Sequence, residues 1–100
     1  MLAWAGTAPI YLSLDLDVLD SAVLPGTGTP EPGGWSFNQL INTLLVLIEQ
    51  LNVVAADVVE LAPMLDASGV STIVAAKVVR ELILALDGRP DLDKARVRVP

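Results

Sequence analysis

The chain contains neither cysteine nor histidine. The first absence excludes disulfides and thiolate metal sites and leaves the redox compartment unread. The second excludes imidazole ligation and histidine acid/base catalysis within this chain. Basic residues are scarce, six against twelve acidic ones, and most lie near the C-terminus. No basic stripe exists to follow a phosphate backbone, so nucleic acid is not an expected partner. Asp57, Glu60 and Lys77 interrupt the apolar runs before the roughly 18 to 20 residues that a membrane-crossing helix needs. The opening "MLAWAGTAP" lacks a basic leader and a full apolar signal core, which makes the cytoplasm the expected compartment.

Apolar carbon, by contrast, is abundant: 53% of the 100 residues are hydrophobic. A short chain buries a smaller fraction of its surface than a long one, so this one has more apolar surface than it can easily hide alone. It is expected either to form a homo-oligomer or to be part of a larger domain with an N-terminal portion missing.

A continuous β-favouring run over 9–17, "PIYLSLDLD", predicts a strand covered on both faces, as in parallel α/β sheets. The loop over 18–35 includes "LPGTGTPEPGG", whose four glycines and three prolines exclude regular structure. Ser36 followed by Gln39 fits a capping box, and Phe37, Leu40, Ile41, Leu44, Leu45, Ile48 and Leu51 recur at helical spacing, predicting a helix over 36–51. The valine-rich segment 52–61 predicts a second buried strand. "DASGVS" supplies caps for a helix over 70–87, buried along most of its surface, with Gly88 as C-cap and Pro90 as stop. A charged tail occupies 88–100, and no internal repeat is evident. The order implies one parallel crossover unit, whose two strands are too few for a stable sheet.

Three aspartates close the first strand. In extended backbone Asp15 and Asp17 project to the same side, about 6.6 Å apart at a rise of roughly 3.3 Å per residue. They sit at a C-terminal strand end, where open α/β sheets bind ligands. Carboxylates removed from water require a cation, and hard oxygen donors suit Mg²⁺, Mn²⁺ or Ca²⁺. Turn aspartates at a solvated strand end would satisfy the same Asp-x-Asp spacing.

The stretch "SLDLDVLDSAVLPGTGTPEPGG" resembles the signature of the ureohydrolases, the arginase and agmatinase family, with agmatinase-like members nearer. "LNVVAADVVELAP" and "LDASGVSTIVAAKVVREL" are similar to that family's next strand and helix, so the resemblance covers nearly the whole chain. It implies the C-terminal portion of a three-layer αβα fold and a hydrolase that releases urea from an agmatine-like or arginine-like guanidino compound with two Mn²⁺ ions. On matching positions Asp15 would bridge the metals, Asp17 would bind one of them, Glu60 would face the guanidinium, and Thr29 would lie near that site. Each has a plain structural alternative: a strand-end carboxylate paired with a lysine for Glu60, turn chemistry for Thr29. Asp20 is expected to be a structural loop residue, and Asp57 a strand residue paired elsewhere in the parent fold.

Ser21 stands where the family has proline, and Ala67 where many members carry a polar residue, often histidine. The family's remaining metal ligands, two histidines and two aspartates, come from earlier strands. A chain with two aspartates alone would hold two ions poorly, so the isolated chain is expected to be inactive. "LSLDLDVL" also resembles the first motif of haloacid-dehalogenase-type phosphatases, with Asp15 as nucleophile, Asp17 as acid/base, and Mg²⁺. That alternative leaves "GTGTPEPGG" unexplained and lacks a clear downstream acidic cluster. A non-catalytic interaction fragment is the third reading.

Overall fold

A computed structural model describes residues 5–88. Strand β1 (Pro9–Asp15) leads into a one-turn 3-10 helix (Leu16–Val18), helix α1 (Phe37–Gln50) and strand β2 (Asn52–Val59). A second 3-10 turn (Pro63–Leu65) precedes helix α2 (Val70–Asp87). β1 and β2 pair in parallel, from Pro9 beside Asn52 to Asp15 beside Val59. Parallel neighbours cannot be joined by a tight hairpin, and the chain returns between them through α1. The class is α/β. The tail expected after Gly88 lies outside the described residues.

α1 starts where its side chains replace missing backbone partners. Gln39 N–H donates to Ser36 Oγ at 3.1 Å, and Ser36 N–H donates to Gln39 Oε1 at 2.8 Å. Two donors that the first helical turn leaves open are thereby satisfied. Leu40, Leu44 and Ile48, four residues apart, form the buried stripe. Leu40 and Leu44 pack with Leu14, Leu16, Leu19, Leu24, Ala75 and Val78, while Ile48 packs with Val53 and Leu82. Burial of each such leucine contributes about 1.5–3 kcal/mol. Both helices therefore cover one face of the sheet.

The strands are not covered on both faces by the described residues. β1 alternates, with Leu14 buried and Tyr11, Ser13 and Asp15 exposed. In β2 the register slips: Ile10 lies beside Val53 but Tyr11 beside Ala55, leaving Val54 as an extra residue. That bulge changes the phase of the strand, so Val53 and, further on, Ala56 and Val58 contribute to the same core. On the outer face, Tyr11 Oη and Ser13 Oγ each donate to Asp57 at 2.7 Å. Asp57 thus has two hydrogen-bond partners on the neighbouring strand of this chain.

One further expectation changes. α2 buries a stripe of Ser71, Ala75, Val78 and Leu82, whereas Ile73 and Ile83 are 69% and 59% exposed, so most of its surface is open. Gly88 closes α2, its N–H meeting the Leu84 and Leu86 carbonyls, with right-handed backbone. No helix among the described residues is long and apolar enough to cross a membrane.

Candidate metal and substrate site

The predicted strand over 9–17 ends two residues early, and this rearranges its carboxylates. Asp15 Oδ1 accepts the Asp17 N–H at 3.0 Å and caps the 3-10 turn that follows. Leu16, fully buried, pins that turn to the core. Asp15 and Asp17 are therefore brought together by a turn, not by the pleat of a strand. A hydrogen bond shared with Asp15 is the main reason Asp17's carboxyl sits above its ordinary value; loss of water and the Asp15 charge raise it further. Thr29 opposes the shift through its hydroxyl, and the Glu60 charge adds to it. Thr29 Oγ1 donates to Asp17 Oδ2 over a long 3.4 Å.

The structure accordingly assembles Asp15, Asp17 and Thr29, with Glu60 within electrostatic reach of Asp17. No lysine or arginine pairs with Asp17 among the described residues. Carboxylate oxygens are suitable donors for Mn²⁺. Among the described residues, however, no group of three or more ligating side chains converges on one point. The donor set fits part of a metal cage.

The loop that carries Thr29 is tied at its base. Leu19 and Trp35 form an isolated parallel bridge, with Asp20 N–H donating to Trp35 O and Trp35 N–H to Val18 O, both at 2.9 Å. Asp20 Oδ1 takes the N–H groups of Gly33 and Gly34 at 2.7 and 3.2 Å, and its other oxygen takes Ala22 N–H at 2.8 Å. These backbone donors hold its carboxyl below the ordinary value. Gly34 must lack a side chain, because a Cβ would lie 2.7 Å from both Asp20 N and Val18 O. The closed loop borders a cleft of about 270 Å³ lined by Asp17, Thr29, Glu31, Pro32, Gly33 and Gly34. Glu31 was not anticipated, although it is the one acidic residue inside "GTGTPEPGG". Asp15 and Glu60 do not line this cleft.

Glu60 ends β2, one residue past Val59, with φ at 75°. This left-handed conformation stops the strand that was predicted to run to residue 61. It is also strained for a side chain with a Cβ, the kind of outlier that concentrates at functional positions.

Residues 1–85 match the family model described as the Arginase family. An agmatinase from Bacillus cereus is 44% identical over 77 residues, which cover 76% of this chain and 27% of that protein. A crystal structure of a hypothetical agmatinase from Burkholderia thailandensis superposes with a TM-score of 0.76 at 42% identity, covering 93% of this chain and 28% of that one. A formiminoglutamase from Trypanosoma cruzi, crystallised with Mn²⁺, gives a TM-score of 0.70 at 26% identity over 80% of this chain and 27% of that one. The chain thus spans about a quarter of the length of the relatives it matches. These likenesses favour the ureohydrolase resemblance over the phosphatase one. With parallel strands, a carboxylate pair at the end of β1 and a family match over most of its length, the chain belongs to the arginase family, whose members are ureohydrolases.

Proposed function

We propose that this chain supplies one wall of a binuclear manganese site that hydrolyses an agmatine-like or arginine-like guanidino compound and releases urea. The observation that carries the reading is the Asp15–Asp17 pair: two adjoining carboxyls, one held above its ordinary value by the other, with no cation opposite Asp17 among the described residues. Such a pair is unfavourable as it stands and becomes favourable when divalent cations neutralise it.

Asp15 and Asp17 would hold the metal ions through their carboxylates. Manganese, when bound, supplies the Lewis acidity that makes water nucleophilic at neutral pH. Thr29 holds one oxygen of Asp17 and so limits the directions in which that carboxylate can turn. Glu60 offers the substrate's planar cation a matching anion, a geometry that admits two parallel hydrogen bonds. Water oxygen bonds to the guanidinium carbon, the bond from that carbon to the tail nitrogen breaks, and the nitrogen leaves as a protonated amine. The remaining metal ligands come from elements outside this chain. The open apolar side chains of α2 support a fold that more protein completes.

Electron paramagnetic resonance of added Mn²⁺ tests the reading. The free-ion signal should fall with the wild-type chain and be restored with the Asp15→Asn/Asp17→Asn double variant. Urea release from agmatine or arginine should be absent for the isolated chain and present once the upstream three quarters of an agmatinase is supplied. Equal Mn²⁺ uptake by wild type and double variant would remove the basis of the proposal.

A further inference from the structure

Among the described residues, the side chain that accepts the most hydrogen bonds is Asp66, and it leads back to the site. Asp66 Oδ1 accepts Ser68 N–H at 3.1 Å and Ser68 Oγ–H at 2.6 Å, and Oδ2 accepts Ser71 N–H at 2.9 Å and Ser71 Oγ–H at 2.6 Å. α2 begins at Val70 after Gly69, which has no side chain to cap it, so Asp66 provides those bonds from three residues earlier. Four donors on one carboxylate keep it ionised far into acid.

Ser71 is fully buried, and its hydroxyl has one proton. Because Asp66 takes that proton, a lone pair remains for the Gly26 N–H, which donates to Ser71 Oγ at 2.8 Å. Gly26 is held from its other side as well: its carbonyl accepts the Ala62 N–H at 2.7 Å. The contact is close enough that a Cβ on Gly26 would lie 2.8 Å from both Ser71 Cβ and Oγ. Gly26 therefore joins three segments: its own loop, which reaches Thr29 three residues on; the strap that leaves Glu60 two residues before Ala62; and the start of α2.

We infer that Asp66 and Ser71 are positioning residues, which clamp Gly26 and thereby set Thr29, and through it the Asp17 carboxylate, relative to Glu60. Neither touches the proposed ions or substrate; both act through backbone. The inference rests on the proposed function for its consequence but not for its geometry, and the experiment separates the two.

Amide exchange and Mn²⁺ titration are followed by NMR on the full chain as wild type, Ser71→Ala and Ser71→Thr. In wild type, Gly26 N–H should exchange at least about tenfold more slowly than Gly28 N–H, which has no partner among the described residues. In Ser71→Ala that protection should be lost, the Thr29 and Asp17 signals should move, and those of Leu44 should not. The Mn²⁺ concentration that half-broadens Asp17 should rise at least about threefold, with both effects reversed in Ser71→Thr. Gly26 exchanging as fast as Gly28 in wild type would overturn the clamp even if the alanine variant failed to fold. So would a shift pattern spread evenly through the core, or an alanine variant with wild-type Gly26 protection and Mn²⁺ response. A clamp seen in exchange with no Mn²⁺ broadening in wild type would leave the Gly26 geometry standing and remove the metal reading instead.

Discussion

Asp15 and Asp17 meet across a turn: the Asp17 N–H donates to Asp15 Oδ1 at 3.0 Å, and the neighbouring Asp15 carboxyl lifts that of Asp17 above its ordinary value of 3.8. A carboxyl whose folded value is raised favours the folded state while protonated, and that contribution is lost as pH rises through the folded value. At neutral pH without metal the pair therefore opposes folding. Asp17→Asn should move the chemical-unfolding midpoint upward at pH 7, and the gap from wild type should shrink as pH falls through the raised folded value toward 3.8, with no further change below it. Saturating Mn²⁺ should reverse the order, stabilising wild type and leaving the variant unmoved. A variant less stable than wild type at neutral pH in chelator would show that the pair is not a source of repulsion.

Asp20, Asp57 and Asp66 behave in the opposite sense. Backbone donors at Ala22, Gly33 and Gly34 lower Asp20; Tyr11 and Ser13 lower Asp57; Ser68 and Ser71 lower Asp66. Their stabilisation is complete above the unfolded value of 3.8 and is lost as pH falls through the lower folded values. Asp66 has the largest displacement, so Asp66→Asn should flatten the wild-type decline in stability between about pH 4 and pH 2 more than Asp57→Asn does. Circular-dichroism melts across that window provide the check; indistinguishable slopes would mean that the two carboxylates are equally weakly held.

Gly34 and Gly28 occupy the same loop and should respond very differently to alanine. A Cβ at Gly34 meets backbone atoms of Asp20 and Val18 at 2.7 Å, and backbone cannot rotate away as a side-chain tip can. Around Gly28 there is nothing within 4 Å. Gly34→Ala is expected to destabilise by about 1–3 kcal/mol and Gly28→Ala by less than about 0.5 kcal/mol. Denaturant titrations of the two variants decide it, and equal losses would place the strain elsewhere in the loop.

What the sequence made legible were the features governed by local rules. Ser36 and Gln39 mark the start of α1 because a capping box is complete within four residues, and its stripe follows from a single period. The carboxylate pair and the glycine-rich loop were visible as composition out of place. The turn at Leu16 was not, because whether Asp15 continues a strand or caps a turn depends on Leu16 being drawn into a core assembled from Leu40, Ala75 and Val78. The Asp57 partnership needed the register of β1 against β2, including the bulge at Val54. Ser71 lies 45 residues from Gly26, and no spacing rule connects them. The expectation of a deeply buried α2 misjudged this chain for a different reason: its apolar content suits a larger body than the described residues provide.

That excess surface has a measurable signature. Ile73 and Ile83 project from α2 at 69% and 59% exposure, so replacing either with glutamate removes little burial in the chain by itself. Ile83→Glu should change the stability of the isolated chain by less than about 0.5 kcal/mol. When the upstream part of an agmatinase is supplied, the same substitution should weaken assembly by about 2 kcal/mol or more, the scale of burying an isoleucine against a partner. Sedimentation of the mixed parts distinguishes the cases, and assembly indifferent to Ile83→Glu would show that α2 is not the face that the rest of the fold covers.

Glu60 poses the opposite trade between stability and chemistry. It is a non-glycine residue with φ at 75°, a backbone that brings its Cβ against the following carbonyl and costs about 1–2 kcal/mol. Glycine at that position relieves the clash but adds freedom to the unfolded chain, so the net gain for Glu60→Gly should be about 0.5–1 kcal/mol. The same substitution removes the anion proposed to face the guanidinium, and agmatine affinity of the completed, manganese-loaded enzyme should fall at least about tenfold, the scale of a charge-assisted hydrogen bond lost from a site. Glu60→Gln retains the strain and removes the charge, so it should lose the affinity without gaining stability. If Glu60→Gly proved less stable than wild type, the side chain would be making contacts that outweigh its backbone strain. If Glu60→Gln kept full affinity, the anion facing the guanidinium would have to be sought elsewhere, with Glu31 in the neighbouring cleft the next carboxylate to replace.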